Sequence, residues 1–325
     1  MMKILIVSGF LGAGKTTFIK ELIRQSGVSP VVLENEYGEN NLDSKELGQL
    51  GNMKILEFME GCVCCTQKDS FANTILAISA GLDPEYLVVE PTGVGKLGNI
   101  IQNIQKVSYD KIRPLKSVVI LSPSNFAQNM RDWPNIYRDQ ILHADIVAFS
   151  KLEHALPEQI EEVTRKIQDL NPQAEIIRQS YREQPPDWWK GLLEMEGNLQ
   201  KDSEIGGEMD SISQFSLRKA HLANVGELSV LLEDVLRGEF GCIVRAKGTL
   251  KVGDEMLRFD LADRLYMVSG APEGETKTQC VFIGRKINRR AICKRMHTTL
   301  RESRAYIPKG GNRQKGIEIK VTRRG

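Results

Sequence analysis

Gly9-Phe10-Leu11-Gly12-Ala13-Gly14-Lys15-Thr16-Thr17 is the stretch of this 325-residue chain whose spacing specifies the most chemistry. G-x-x-x-x-G-K-T is the pattern of a phosphate-binding loop. Gly9, Gly12 and Gly14 let the backbone turn tightly and aim N–H groups at phosphate oxygens, with Ala13 and Thr17 completing the cradle. Lys15 can reach β- and γ-phosphates, and the Thr16 hydroxyl can ligate Mg²⁺. A helix starting at the loop adds free N–H groups and the positive end of its dipole. These residue types predict a nucleoside-triphosphate site.

A second constellation is Cys62-x-Cys64-Cys65. Thiolates are soft ligands suited to Zn²⁺, and also to Co²⁺ or Ni²⁺. A structural zinc site usually shows two separated Cys/His pairs, and no second pair occurs here. Three thiolates in one short loop leave a coordination position open, which suits a metal that is handed on. A redox thiol cluster and inert buried cysteines are the competing readings. The acidic loop from Glu34 to Glu39 offers Glu34, Glu36 and Glu39 as hard ligands or Mg²⁺ contacts, against the reading of a solvated loop. Glu90, in Glu90-Pro91-Thr92-Gly93, ends an apolar run and is placed to act on Mg²⁺ through water. Gly93 can approach a γ-phosphate and donate its N–H, and residues 94–98 after it are expected to be free to move.

Short apolar runs at 3–8, 30–33, 54–58, 86–89, 117–121, 145–149 and 174–177 read as buried strands, with helical patterns after Thr17, over 68–80 and over 156–170. Strands alternating with helices predict an α/β P-loop domain with a mostly parallel sheet over residues 1–181. The phosphate loop, acidic loop, cysteine cluster and Glu90 all follow strands, so they belong on the carboxyl rim where such sheets bind ligands. Residues 182–210 read as a linker with a short helix at Trp188-Trp189, the tandem Trp acting as a clasp onto the first domain. From Ser211 to about 305 the pattern alternates, predicting a smaller α+β domain on an antiparallel sheet that ends in a basic helix. Residues 306–325 form a basic tail.

Apolar content of 41% and charged content of 26% are ordinary for a globular protein. No apolar run approaches the ~18 residues of a membrane helix, and the first ten residues lead straight into the phosphate loop, so a cytoplasmic location without membrane contact is expected. From Arg285 onward fourteen Lys/Arg face two Asp/Glu, whereas the rest of the chain is net −10. Such asymmetry suggests an acidic partner or an internal attraction. Nucleic acid is disfavoured, because Tyr306 is the only aromatic in that segment.

These motifs in this order resemble the CobW family of P-loop GTPases, in the group that includes the nickel-delivery GTPases of hydrogenase and urease maturation. The resemblance rests on the phosphate loop, Glu34-Asn35-Glu36-Tyr37-Gly38-Glu39, Gly61-Cys62-Val63-Cys64-Cys65, Glu90-Pro91-Thr92-Gly93, Gln140 with Ala144-Asp145, Asn171-Pro172-x-Ala174, and Val244-Arg245-Ala246-Lys247-Gly248. It implies a GTPase that couples hydrolysis to delivery of a transition metal, with the acidic loop as switch I linking metal to nucleotide. A client metalloenzyme or cofactor-assembly protein is the implied partner, and a homodimer is compatible with it. A regulatory switch acting through protein or RNA, with a structural CxCC, is the alternative. The guanine-reading motif departs from the family: Ser150-Lys151-Leu152-Glu153 stands where N/T-K-x-D is usual. Ser for Asn is expected to lose a side-chain contact. Lys151 and Glu153 remain the base-binding candidates, the carboxylate of Glu153 favouring guanine's two donors. Ser122-Pro123 also departs from the family, which more often has Asp after that strand.

Overall fold

β1 (Met2–Gly9) is buried along nearly its whole length, as an unbroken apolar run requires of a strand covered on both faces. The computed structural model describes residues 1–36, 54–59, 68–109, 111–197, 212–262, 264–272 and 274–298, with side chains left out at 35–36, 54–55, 57–59 and 68–70. These residues divide into two compact units, one within 1–197 and the other within 212–298.

In the first unit β1 is joined by β2 (Val31–Glu36), β3 (Lys54–Met59), β4 (Tyr86–Glu90), β5 (Ile112–Pro114), β6 (Val118–Leu121), β7 (Ile146–Phe149) and β8 (Glu175–Ile177). The sheet order is β3-β2-β4-β1-β6-β7-β8, with β5 also pairing β1. All of these pairings are parallel, so the carboxyl ends of β1, β2, β3 and β4 lie on one rim. Between the strands run α1 (Lys15–Ser26), α2 (Lys68–Gly81), α3 (Leu97–Gln105), α4 (Phe126–Asp132), α5 (Pro134–His143), α6 (Pro157–Leu170) and α7 (Pro186–Leu192). The parallel α/β class expected from the alternating pattern is therefore the one observed.

α1 buries Phe18, Ile19 and Leu22, and Phe18 meets Tyr181 and Trp189 at ring-centroid distances of 5.0 and 5.1 Å. Trp189 is fully buried, while Trp188 stays half-buried. A fully buried Trp contributes several kcal/mol, so Trp189→Ala would cost about 3–5 kcal/mol. The chain from 182 to 197, expected as linker, instead packs into this unit. Beyond the Trp189 contacts, Lys116 N–H donates to Met195 O at 2.9 Å and Gly197 N–H to Pro114 O at 3.1 Å. The Glu194 carboxylate accepts from Lys3 Nζ at 2.7 Å and from the Tyr86 hydroxyl at 2.9 Å. Residues 198–211 and the tail from 299 lie outside the described residues.

The second unit holds β9 (Ser213–Arg218), β10 (His221–Leu222), α8 (Val225–Arg237), β11 (Cys242–Val252), β12 (Glu255–Ala262), β13 (Leu265–Gly270), β14 (Gln279–Arg285) and α9 (Arg289–Arg295). Its sheet runs β13-β12-β11-β14-β9 with antiparallel neighbours, and β10 lies parallel to β11. Asn224 caps α8, its side chain accepting from Glu227 N at 3.0 Å, which satisfies a helix-start donor. Leu228, Leu231, Leu232 and Val235 of α8 join Phe259, Phe282 and the α9-end residues Ile292 and Met296 in one core. The basic terminal helix expected from the sequence thus docks by its apolar residues.

Candidate functional site

β1 delivers the phosphate loop and α1 leaves it. Gly14 takes φ +96°, at the N-cap of α1, a conformation that glycine adopts without strain. The first N–H groups of α1 therefore open toward the rim. Lys15 is buried, with Nζ 3.3 Å from Phe10 O. Thr16 Oγ1 donates to the Glu90 carboxylate, 2.9 Å from Oε1 and 3.2 Å from Oε2. Thr17 is exposed. The two side chains assigned to Mg²⁺ from sequence, 74 positions apart, are thus in direct contact.

After Glu90 the chain bends. Gly95 N–H donates to Thr92 O at 2.9 Å, closing a tight turn. Gly93 in that turn lies against the phosphate loop: a Cβ placed on it would stand 2.5 Å from Leu11 N and 2.9 Å from Phe10 C. Only a residue without a side chain fits that approach. The segment 94–98, expected to be free, is held. Gln140 Nε2 donates to Gly93 O at 3.2 Å and Gly95 O at 3.1 Å, and Gly98 N–H donates to Asp139 Oδ1 at 3.1 Å. Burial pushes the Asp139 carboxyl above the usual range, against the opposing pull of the Gly98 N–H and of His143. His143 Nδ1 is 3.4 Å from Asp139 Oδ2. Asn171 Nδ2 donates to the Ile141, Leu142 and Ala144 carbonyls, and Asp145 Oδ2 accepts from Ser117 N–H and Oγ. Of these residues, which carried part of the resemblance without a stated role, Asn171 caps the end of α5 and Asp145 ties the start of β7 to the chain entering β6.

At the other end of the loop, Ser150 Oγ donates to Ala13 O at 2.8 Å. Ser150 is buried, so the hydroxyl does tie this motif to the phosphate loop, contrary to the expected loss of contact. Lys151 follows with φ +53°. Glu153 leaves 69% of its side-chain surface exposed and sits 3.7 Å from His154 Nε2.

Of the metal-ligand candidates, Glu34 is buried on β2 and pairs in register with Glu57 of β3 and Glu90 of β4. Glu36 ends β2. Glu39, Cys62, Cys64 and Cys65 lie outside the described residues, after β2 and β3. Among the described residues no group of three or more His, Cys, Asp or Glu could hold a metal. Cys280 and Cys293 are buried in the second unit and Cys242 is exposed. Burial pushes the Cys280 thiol strongly up, which makes it inert. No helix of the described residues is long and apolar enough to cross a membrane.

A phosphate loop after the central strand of a parallel sheet, with Thr16 against Glu90, defines a P-loop nucleotide-binding domain. The family model for "CobW/HypB/UreG, nucleotide-binding domain" matches residues 3–178, and that for "Cobalamin synthesis protein cobW C-terminal domain" matches residues 212–300. The chain belongs to the CobW/HypB/UreG family. Zinc chaperone YjiA of Escherichia coli is 26% identical over 303 residues, covering 86% of this chain and 92% of that protein. Zinc chaperone CobW of Pseudomonas aeruginosa is 25% identical over 348 residues, 92% of each. A crystal structure of Zn(II)-bound YjiA GTPase from E. coli aligns over 91% of this chain and 98% of that one, at 19% identity and a TM-score of 0.42.

Proposed function

We propose that this protein hydrolyses GTP and uses the cycle to bind a transition metal and hand it to a client metalloenzyme or cofactor-assembly protein. Zinc is the cargo favoured by the names of relatives that align over most of the chain. Co²⁺ or Ni²⁺ would suit the same thiolates. The observation that carries the reading is the register of Glu34 on Glu90. It sets the strand leading into the acidic loop beside the carboxylate that touches Thr16, so nucleotide and metal segments leave adjacent strands. β3, next in the sheet, leads into Cys62, Cys64 and Cys65.

Within this scheme Lys15 supplies fixed positive charge to the β/γ-phosphates, and the loop N–H groups of Gly12 to Thr17 receive the phosphate oxygens. The Thr16 hydroxyl and Glu90 carboxylate are hard oxygen donors already converged at 2.9 Å, a donor set that fits Mg²⁺. Bound there, Mg²⁺ would neutralise charge developing on the phosphates. Gly93 presents its N–H to the γ-phosphate, and Lys151 and Glu153 receive the base. Ordering of the acidic loop by GTP sets the ligand geometry of Cys62, Cys64 and Cys65, with Glu34, Glu36 and Glu39 available as oxygen ligands, and hydrolysis releases it.

A Co²⁺ titration of the purified protein tests the reading. About one Co²⁺ per chain with thiolate-to-metal charge-transfer absorption is expected. Replacing Cys64 and Cys65 by Ser should remove the band while guanine nucleotide still binds. A double variant that binds metal as well as its parent would place the site elsewhere.

A further inference from the structure

α5 buries three polar side chains within five residues, Asp139, Gln140 and His143. Such burial is costly unless each group is hydrogen-bonded. Their contacts converge on the chain that follows β4. Asp139 accepts the Gly98 N–H, and the His143 ring fills the space where a Gly98 side chain would be, with Cε1 only 2.8 Å from that Cβ position. Gln140 bonds the carbonyls of Gly93 and Gly95. The turn is therefore closed from within by Gly95 N–H on Thr92 O and fixed from outside by Gln140.

The opposite side of that turn is the phosphate loop, with Gly93 against Leu11. The same helix also presents Tyr137 edge-on to Phe10, at 6.0 Å between ring centroids and 79° between planes. One helix thus grips both the turn and the loop that would enclose a γ-phosphate. The Gln140 amide has a defined direction. Two carbonyl acceptors face Nε2, and Oε1 has no partner among the described residues. Reversing the amide would set three acceptors together.

We infer that Gln140 is the positioning residue of Gly93: it fixes the turn so that the Gly93 N–H meets a γ-phosphate. The side chain therefore governs discrimination of triphosphate from diphosphate, and not nucleotide affinity as such. The inference rests on the GTP reading above and deepens it.

Gln140→Ala and the near-isosteric Gln140→Glu test it in the full chain. In Gln140→Glu a carboxylate faces two carbonyls, so it should fail like Gln140→Ala. GDP affinity should stay within about twofold of the parent. The preference for a non-hydrolysable GTP analogue over GDP should fall about tenfold, KM for GTP should rise by a similar factor because KM follows dissociation when hydrolysis is slow, and kcat should fall as well. If Gln140→Ala does not fold, Gln140→Glu decides. Equal weakening of both nucleotides, or an unchanged analogue-to-GDP ratio in a folded variant, would overturn the inference and leave Gln140 a packing residue. A parent protein that binds no guanine nucleotide would instead defeat the GTP reading. The same ratio measured with an ATP analogue and ADP would then test Gln140.

Discussion

At the phosphate end of the nucleotide site, Lys15 is buried, Thr16 and Glu90 touch at 2.9 Å, and Gly93 is wedged between Gln140 and the backbone of Leu11. At the proposed base end, Ser150 is built in through its bond to Ala13 O, while most of the Glu153 side chain lies in solvent. The difference follows from what each end must do. Charge stabilisation in phosphoryl transfer depends on donors that are preorganised and need no rearrangement during the reaction. Choosing a base needs only a modest difference in binding free energy, which one exposed carboxylate can supply. The phosphate end is therefore where substitutions should act on rate, and the base end where they should act on selectivity.

The largest effect expected is that of Lys15→Ala, which removes the charge at the phosphates. Turnover should fall by a factor on the order of a hundred to a thousand, with the thermal midpoint little changed. Near-parental turnover in a folded variant would show that this loop is not the reaction site. Gly93→Ala comes next, because its Cβ meets backbone at 2.5 Å. The turn must shift, at a cost of about 1–3 kcal/mol, and kcat should drop more than GDP affinity does. Unaltered kcat in the Gly93→Ala variant would mean that the turn has room to move without consequence. Ser150→Ala removes one buried hydrogen bond, about 1 kcal/mol. Nucleotide affinity should weaken roughly fivefold for GTP and ATP alike, and a base-dependent loss would move base reading to Ser150. Glu153→Ala should erase a GTP-over-ATP preference of about tenfold, or about 1.4 kcal/mol, with kcat on saturating GTP retained. If the parent binds both nucleotides equally, the base end has no selectivity to lose. Deleting residues 309–325 should change neither hydrolysis nor metal stoichiometry.

Much of the phosphate end was legible in the sequence because its signals are local. A buried apolar strand, G-x-x-x-x-G-K-T and an amphipathic helix follow one another within twenty-six residues, and Glu90 is marked by the apolar run before it. The partners that hold Gly93 were not legible. α5 places Asp139, Gln140 and His143 on its buried face, and polar residues at core positions break the hydrophobic period by which a helix is read. α3 carries Leu97, Ile100, Ile101 and Ile104 at helical spacing, but Gly95 and Gly98 at its start suggest a mobile loop until Asp139 is seen to hold the Gly98 N–H. The Ser150 bond spans 137 positions to Ala13, a contact that depends on strand order. Trp188 and Trp189 are identical in type, and only the packing around Phe18 decides which one is buried.

If nucleotide state sets metal affinity, zinc must bind differently in the two nucleotide states. Competition with a chromophoric chelator would give the Zn²⁺ dissociation constant with Mg·GDP and with Mg²⁺ and a non-hydrolysable GTP analogue. Zinc binding should be at least about tenfold tighter in the triphosphate state, with an equal tightening of the analogue by zinc, since such coupling is reciprocal. Both effects should vanish when Cys64 and Cys65 are replaced by Ser. Equal zinc affinity in the two states, or coupling that survives loss of those cysteines, would contradict it.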